Sequence, residues 1–336
     1  MPELTPELWM LLPLALAAGI DLYLTLLIVG AAPTLPWWQH PLPGALGDLD
    51  HPLIVVGVGF LYIFELLAER RPASGLVWNA VHALIRPVSG ALLTALLLHG
   101  QATEVVISGS LAGGALTALS HAVRSGGPIV RWLDPSPTPP PRLVSVLEDV
   151  LVLGLVIAVL DAPRLAFGAG LAFAVFAIPG AATAMRAFAF AIRLTGERVF
   201  QTIRGRSWTT PDRLPDWVRS SLEDDIMAPG GGLRGARAAL VRMPGLRRLV
   251  TGWVVVRGDD PAFVHGRRGG VGRRVELGSL QPCGVSDHDF FRTLDLRDES
   301  GNAVRIVFFV NGPSAASLAA EFALEASSAG APAAPS

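Results

Sequence analysis

The chain has 336 residues, a formal net charge of −1, 51% hydrophobic and only 16% charged residues, and a mean hydropathy of +0.47. Soluble domains carry roughly 25% charged residues, so a wholly water-soluble class is excluded, and the near-neutral charge leaves no electrostatic footprint for nucleic acid. Cys283 is the single cysteine, which excludes an intramolecular disulfide and a cysteine-based metal site.

The first residues, MPELTPELWM, lack the positive start of a cleavable signal peptide, so the first apolar run reads as a retained span. Apolar residues concentrate before about residue 195 and charge after it. This predicts a transmembrane helical domain over 1–195, a juxtamembrane linker over 196–247, a cytoplasmic β-rich domain over 248–326 and a disordered tail over 327–336. All 27 basic residues are arginine, which reads as GC-rich bacterial coding rather than special chemistry.

Six runs approach the roughly 20 residues that cross a bilayer: 8–31, 52–69, 76–99, 104–123, 143–161 and 164–186. Trp37 and Trp38 stand where an interfacial aromatic belt is expected. Arginines follow the second span (Arg70, Arg71), the fourth (Arg131, Arg142) and the sixth (Arg193, Arg198, Arg204, Arg206). The first and third spans are followed by none, and the fifth only by Arg164. By the positive-inside rule this predicts a multi-pass bacterial inner-membrane protein with both termini cytoplasmic. Three spans followed by three suggest an inverted repeat. LAAG at Leu16–Gly19 and LAGG at Leu111–Gly114 open small-residue faces in each half, which plain helix packing also explains.

That orientation gathers ionisable residues in the inner third of the membrane. Glu65 and Glu69 close the second span, His82 and Arg86 open the third, His121 and Arg124 close the fourth, and Ser145, Glu148 and Asp149 open the fifth. Their spacings of three and four place each set on one helix face. Charges in lipid cost several kcal/mol, by order of magnitude, unless paired or wetted, so these groups are expected to face one another or a cytoplasm-open cavity. They read as pins between helices, as a pocket for an ion or anionic solute, or as a catalytic site. Asp21 stands apart in AAGIDLYLTLL, a carboxylate in mid-span that is either functional or a hydrogen-bonded packing residue. Pro87, directly after Arg86, predicts a kink or break in the third span, or a re-entrant hairpin from Pro87 to His99. RPVSG and SHAVR resemble fragments of a lipid-phosphatase signature without its spacing, and the glycine-rich GGGLRG and RRGGVGRR lack the strand and helix of a phosphate loop. No cofactor or metal site is therefore expected.

These residues carry a resemblance. The membrane part resembles the bacterial integral-membrane family known as domain of unknown function 4126, over roughly residues 8–195, most specifically Glu65–Gly90, His121 with Arg124, and Ser145-x-x-Glu148-Asp149. The family's pattern has an Asp-Lys-x-Pro element, two aspartates, a histidine and Arg-Pro-x-x-Gly. Pro72, His82, Arg86, Pro87 and Gly90 match it, whereas Glu69 and Arg70 replace the Asp-Lys pair. Gly75 and Asn79 stand for the aspartates, and Pro141 for an asparagine. The resemblance implies a fold and no activity.

After residue 203, arginine-rich linker sequence with one amphipathic piece, DWVRSSLEDDI, could touch anionic lipid headgroups. From Leu249 the period becomes two, in GWVVVRG, AFVHGRR, GRRVELGS, FFRTLDLRD and AVRIVFFV, before a final helix in PSAASLAAEFALEA. This predicts a small β-barrel capped by a helix, similar to pleckstrin-homology-like domains. His265, His288 and Asp289 read as loop residues.

The function expected first is a transporter or channel-like protein for an ion or small anionic solute. Its pocket would be lined by Asp21, Glu65, His82, Arg86, His121, Arg124, Ser145, Glu148 and Asp149. The alternatives are a membrane scaffold recruiting a protein partner through its cytoplasmic domain, and an enzyme on lipid-linked phosphate with His82 or His121 as base. The bilayer is the expected partner, nucleic acid is not, and a homo-oligomer remains open.

Overall fold

A computed structural model describes residues 5–36, 38, 40–69, 72–133, 141–199, 208–222, 232–243, 246, 248–258, 260–266 and 272–322. Trp37, Arg70, Arg71, Arg204, Arg206, the proline-rich run 134–140 and the tail 327–336 lie outside those residues. The chain divides into two compact units, Met1–Ile192 and Arg193–Ser336.

The first unit is helical: α1 Pro6–Ile20, α2 Leu22–Ala31, α3 Pro52–Glu69, α4 Pro72–Leu97, α5 Thr103–Leu133, α6 Pro141–Asp161 and α7 Pro163–Val199, whose last turns belong to the second unit. Proline opens α1, α3, α4, α6 and α7. At the first helical position its missing N–H costs nothing and its fixed φ suits the helix. Helices α3 to α7 are each long and apolar enough to cross a bilayer. They expose apolar rows such as Leu53, Phe60, Val146, Phe176 and Ile178, while Leu14, Tyr23, Val29, Leu97 and Val156 form the buried core.

The first apolar run is not one continuous helix. The backbone breaks at Asp21, whose φ of −141° and ψ of 101° are extended. At 1.5 Å per residue α1 is roughly 22 Å long and α2 roughly 15 Å, each short of the roughly 30 Å hydrocarbon core. The break is made by capping chemistry. The Asp21 carboxylate accepts the Leu24 N–H at 2.8 Å and its backbone carbonyl accepts the Thr25 hydroxyl at 2.6 Å, so Asp21 starts a new helix. At Pro87, where the sequence favoured an interruption, α4 runs on as helix, and the hairpin from Pro87 to His99 is not adopted. A short turn at 98–100, with Gly100 at φ +91°, leads into α5, which packs along α4.

The two small-residue faces both serve close helix packing. A Cβ on Gly113 would run into the Thr94 side chain, and one on Gly19 would lie 2.5 Å from both Ser120 Cβ and the Thr117 carbonyl oxygen. That closeness lets the Thr117 and Ser120 hydroxyls of α5 donate to the Ala15 and Leu16 carbonyls at 3.0 and 2.9 Å.

The second unit is one antiparallel seven-stranded sheet: β1 Arg234–Arg242, β2 Val250–Arg257, β3 Asp260–Gly266, β4 Gly272–Glu276, β5 Gln281–Asp287, β6 Phe291–Arg297 and β7 Ala303–Phe309. The order is β4-β3-β2-β1-β7-β6-β5, so the sheet is open and not the expected barrel. Consecutive strands β4 and β5 form its two edges. Pro282 lacks an N–H for a further ladder, and β5 carries a register shift between Pro282 and Gly284. Alternation places Val254, Val256 and Phe263 on one face with Leu318 and Phe322 of the closing helix Ala315–Glu321 and the residue after it. Val255 and Val264 lie on the other face, with Leu214, Val218 and Leu222 around the short helix Asp216–Arg219. The segment read as linker therefore supplies β1 and the cover of one sheet face. Arg292, 2% exposed, donates to the Val310 and Pro313 carbonyls at 3.1 and 3.2 Å and ties β6 to the turn before the closing helix.

Two outcomes follow from this packing. Gly19→Val should lower the thermal unfolding midpoint in detergent by the equivalent of about 1–3 kcal/mol, because the clash falls on backbone; an unchanged midpoint would contradict the close α1–α5 approach. In the sheet unit, burial and then the nearby Arg305 hold the His288 imidazole below its usual 6.5. The unfolded chain then binds the proton that the folded chain resists. Stability is full above about pH 6.5 and declines as pH falls through the unfolded value toward the folded one. Hydrogen-exchange protection of the sheet should drop over that range, and His288→Gln should flatten the profile.

Candidate functional site

The break at Asp21 leaves the last carbonyls of α1 without helical partners in a buried setting. Arg86, from the middle of α4, fills that place. One terminal nitrogen, Nη1, donates to the Gly19 carbonyl at 2.6 Å and the Ile20 carbonyl at 2.7 Å, and Nη2 pairs with the Glu65 carboxylate of α3. The guanidinium is completely buried. It meets the negative end of the α1 dipole, while Glu65 compensates its charge.

A second arginine, Arg124 of α5, joins the same cluster. Its Nη1 and Nη2 grip both oxygens of Glu69 at 2.9 and 3.0 Å, and its Nε donates to Glu148 of α6 at 3.1 Å. Nη1 also lies 3.5 Å from Glu65 Oε1, which joins the two arginine sites through one carboxylate. Asp149 lies within electrostatic reach of Arg124 and Tyr62, and Asp21 within electrostatic reach of Glu65, Arg124 and Arg86. Three carboxylates, Glu65, Glu69 and Glu148, thus pair with two guanidiniums, and Asp21 and Asp149 lie within electrostatic reach of them. Among the described residues Asp21 and Asp149 have no ion-pair partner, and Glu65 Oε2 and Arg86 Nε are buried without a hydrogen-bond partner.

Exposure is graded across this cluster. Side-chain exposure is 25–26% at Glu69 and Glu148, 10% at Arg124, 2% at Glu65 and zero at Arg86.

The histidines form separate pairs. His82 Nδ1 faces the Trp78 carbonyl at 2.9 Å, and a carbonyl only accepts, so Nδ1 carries the hydrogen. Nε2 then accepts from the Tyr23 hydroxyl at 2.9 Å. His121 Nε2 faces the Asn79 carbonyl at 3.3 Å, and its Nδ1 lies 3.2 Å from the Ser125 hydroxyl. Ser125 also donates to the Asn79 side chain at 3.0 Å. Ser145 joins neither group by a hydrogen bond or ion pair among the described contacts. Of the residues expected in a pocket, Asp21, Glu65, Arg86, Arg124, Glu148 and Asp149 come together, His82 and His121 are engaged in their own hydrogen bonds, and Ser145 makes no described contact with them.

Tyr23, Tyr62 and Ser125 were not singled out from sequence, and Asn79 was noted only where the family's pattern has an aspartate. Tyr23 and Tyr62 are the only tyrosines in the chain, and Tyr62 lies three residues before Glu65, on its helix face. Among the described residues no group of three or more His, Cys, Asp or Glu side chains is disposed to hold a metal ion.

A family model described as "Domain of unknown function (DUF4126)" matches residues 8–182. No curated protein matches the chain. Two solved structures align over most of the chain at very low similarity. One is "Apo structure of the activated truncation of Vav1", at 9% identity and a TM-score of 0.20 over 90% of this chain and 74% of that one. The other is "Vav1 inhibited by an allosteric inhibitor: Vav1 inhibitors block GEF activity", at 11% identity and 0.18 over 91% and 77%. At these scores the likeness carries neither fold nor activity to this chain.

Removing the guanidinium at the break should be costly. Arg86→Ala strands the Gly19 and Ile20 carbonyls and leaves Glu65 charged and buried, and should destabilise the helical unit by about 3–5 kcal/mol. Arg86→Lys should recover part of this, since an ammonium keeps the charge but loses the planar fork. Thermal unfolding in detergent reads both; equal midpoints for wild type and Arg86→Ala would show that the break does not depend on the arginine.

Proposed function

The chain belongs to the family described as domain of unknown function 4126, and from that premise we propose that it is a membrane transport or channel-like protein for a cation, working at the interrupted helix α1–α2. The observation that carries this is the helix break at Asp21, set among five carboxylates and two arginines in apolar, membrane-length surroundings. Irregular backbone at membrane depth is tolerated where it is buried in protein or lines a pathway, and discontinuous helices form the ion sites of many transporters. The carboxylate excess favours positive charge. An anion would find Arg86 taken up by two carbonyls and Glu65, and Arg124 by Glu69 and Glu148.

In this reading Glu69 and Glu148, about a quarter exposed, form the mouth of the site. By the arginine pattern that mouth faces the cytoplasm of a bacterial inner membrane, with both termini on the same side. A histidine-based enzyme is less well supported, because the described contacts engage both ring nitrogens of His82 and of His121. A scaffold reading draws on the separate sheet unit, which could recruit a partner.

The test is flux from the full chain reconstituted in liposomes under an imposed membrane potential, with sodium, potassium and protons assayed separately. At least one cation should move above protein-free vesicles. Glu148→Gln at the mouth should slow it about tenfold, the equivalent of some 1.4 kcal/mol, while the unfolding midpoint is kept. Vesicles tight to all three cations would end the transport reading and turn attention to the sheet unit.

A further inference from the structure

We propose that the sheet unit binds a mononucleotide, in a cavity walled by aromatic rings and bordered by two arginines. This goes beyond the transport reading and does not rest on it, because every residue it uses lies in the second compact unit.

The cavity has a volume of about 530 Å³, enough to hold a whole small molecule. Strand register builds one wall. Arg237 of β1 lies opposite Trp253 of β2, and Ala238 lies opposite Phe308 of β7. Side chains alternate along a strand, so Phe309 falls on the face of Arg237 and Trp253, in one row across three strands. The Arg237 guanidinium sits over the Phe309 ring, 5.5 Å from its centroid. Trp208 joins the lining from the segment before β1, which is held there by paired backbone hydrogen bonds between Thr209 and Gly235 at 2.7 and 2.9 Å. Asp212 and Arg213 line the cavity from the turn Pro211–Arg213, and Asn311 from the turn after β7.

Asn311 supplies the specific signal. Its Nδ2 donates to the Glu197 carboxylate at 2.6 Å and to the Glu197 backbone carbonyl at 3.3 Å. Both partners only accept, so the amide cannot be turned over. Its Oδ1 is thereby fixed, buried and still in need of a donor. A buried acceptor left unmet costs free energy, which a ligand N–H recovers. The exocyclic amine or ring N–H of a nucleobase is such a donor, and indole and phenyl faces stack on any base.

Charge selects the rest of the ligand. The Glu197 carboxylate is already engaged, by Arg237 Nη1 at 3.2 Å and by Asn311. A guanidinium carries five N–H groups, so Arg237 can pair with Glu197 and still donate to an anion. Arg213 is exposed and adds a second guanidinium. Such forks take phosphate through parallel N–H bonds. Asp212 accepts the Thr210 hydroxyl at 3.4 Å and has further lone pairs for sugar hydroxyls. A nucleotide offers the ring donor, the hydroxyls and the phosphate together.

The test is isothermal titration of the full chain in detergent with AMP, GMP, CMP and UMP, each beside its nucleoside, and with inorganic phosphate. At least one mononucleotide should bind once per chain with a Kd below about 1 mM. Its nucleoside and inorganic phosphate should each bind at least about tenfold more weakly. Arg213→Ala, a change at an exposed side chain, should weaken the nucleotide about tenfold with an unchanged unfolding midpoint. Trp253→Leu should weaken it by a similar factor of about ten through lost stacking. No mononucleotide binding at about 1 mM would overturn the proposal. So would a nucleoside or inorganic phosphate that binds as tightly as the nucleotide, or Kd values within about twofold of wild type in both variants. If Trp253→Leu fails to fold, Arg213→Ala decides by the same Kd.

Discussion

The helical unit depends on one guanidinium. A helix interrupted within hydrocarbon strands backbone carbonyls that water would otherwise satisfy, each at a cost of several kcal/mol by order of magnitude. Arg86 meets Gly19 and Ile20 with one nitrogen and Glu65 with the other. Its planar fork serves a helix end and a carboxylate at once, which a lysine ammonium matches poorly. The break needs the arginine, the arginine needs Glu65, and Glu65 needs a countercharge at that depth. Three residues from α3, α4 and the α1–α2 junction therefore stand or fall together, and they fix where those elements meet.

The second arginine works in another regime. Arg124 grips Glu69 with two parallel hydrogen bonds and reaches Glu148, but these acids are partly wetted. Partly exposed pairs are weaker and easier to part than buried ones. The cluster thus joins a rigid deep end to a yielding outer end through Glu65, which touches both arginines.

Much of this cluster was legible because spacings of three and four on an apolar background force charged residues onto one helix face, as at Glu65/Glu69 and Glu148/Asp149. The break was not. Asp21 lies in an unbroken apolar run, and a 20-residue hydropathy window averages one carboxylate away. The local sign was a helix-capping residue with Thr25 four positions on, and Pro87 drew the eye instead. A proline inside a helix loses one hydrogen bond, but α4 lies along α5 and continues. In the sheet unit, β2, β3, β4, β6 and β7 show their alternation plainly. β1, RGARAALVR, hides its strand in alanines that suit a helix as well, and β5, QPCGVSD, is largely exposed and has little apolar face to read. With those two strands unread, the open strand order could not be anticipated.

The open order has a consequence for how the protein behaves at high concentration. Two edge strands can invite copies to add strand upon strand into polymers, a hazard that closed sheets avoid. Here one edge carries Arg273, Arg274 and Glu276, and burying those charges between backbones would be expensive. The other carries Pro282 and an adjacent register shift, so a neighbouring strand would find a gap in the ladder and a bend where it needs a straight run. The sheet can stay open without becoming sticky, and substitutions that smooth these edges should show themselves first as aggregation during expression.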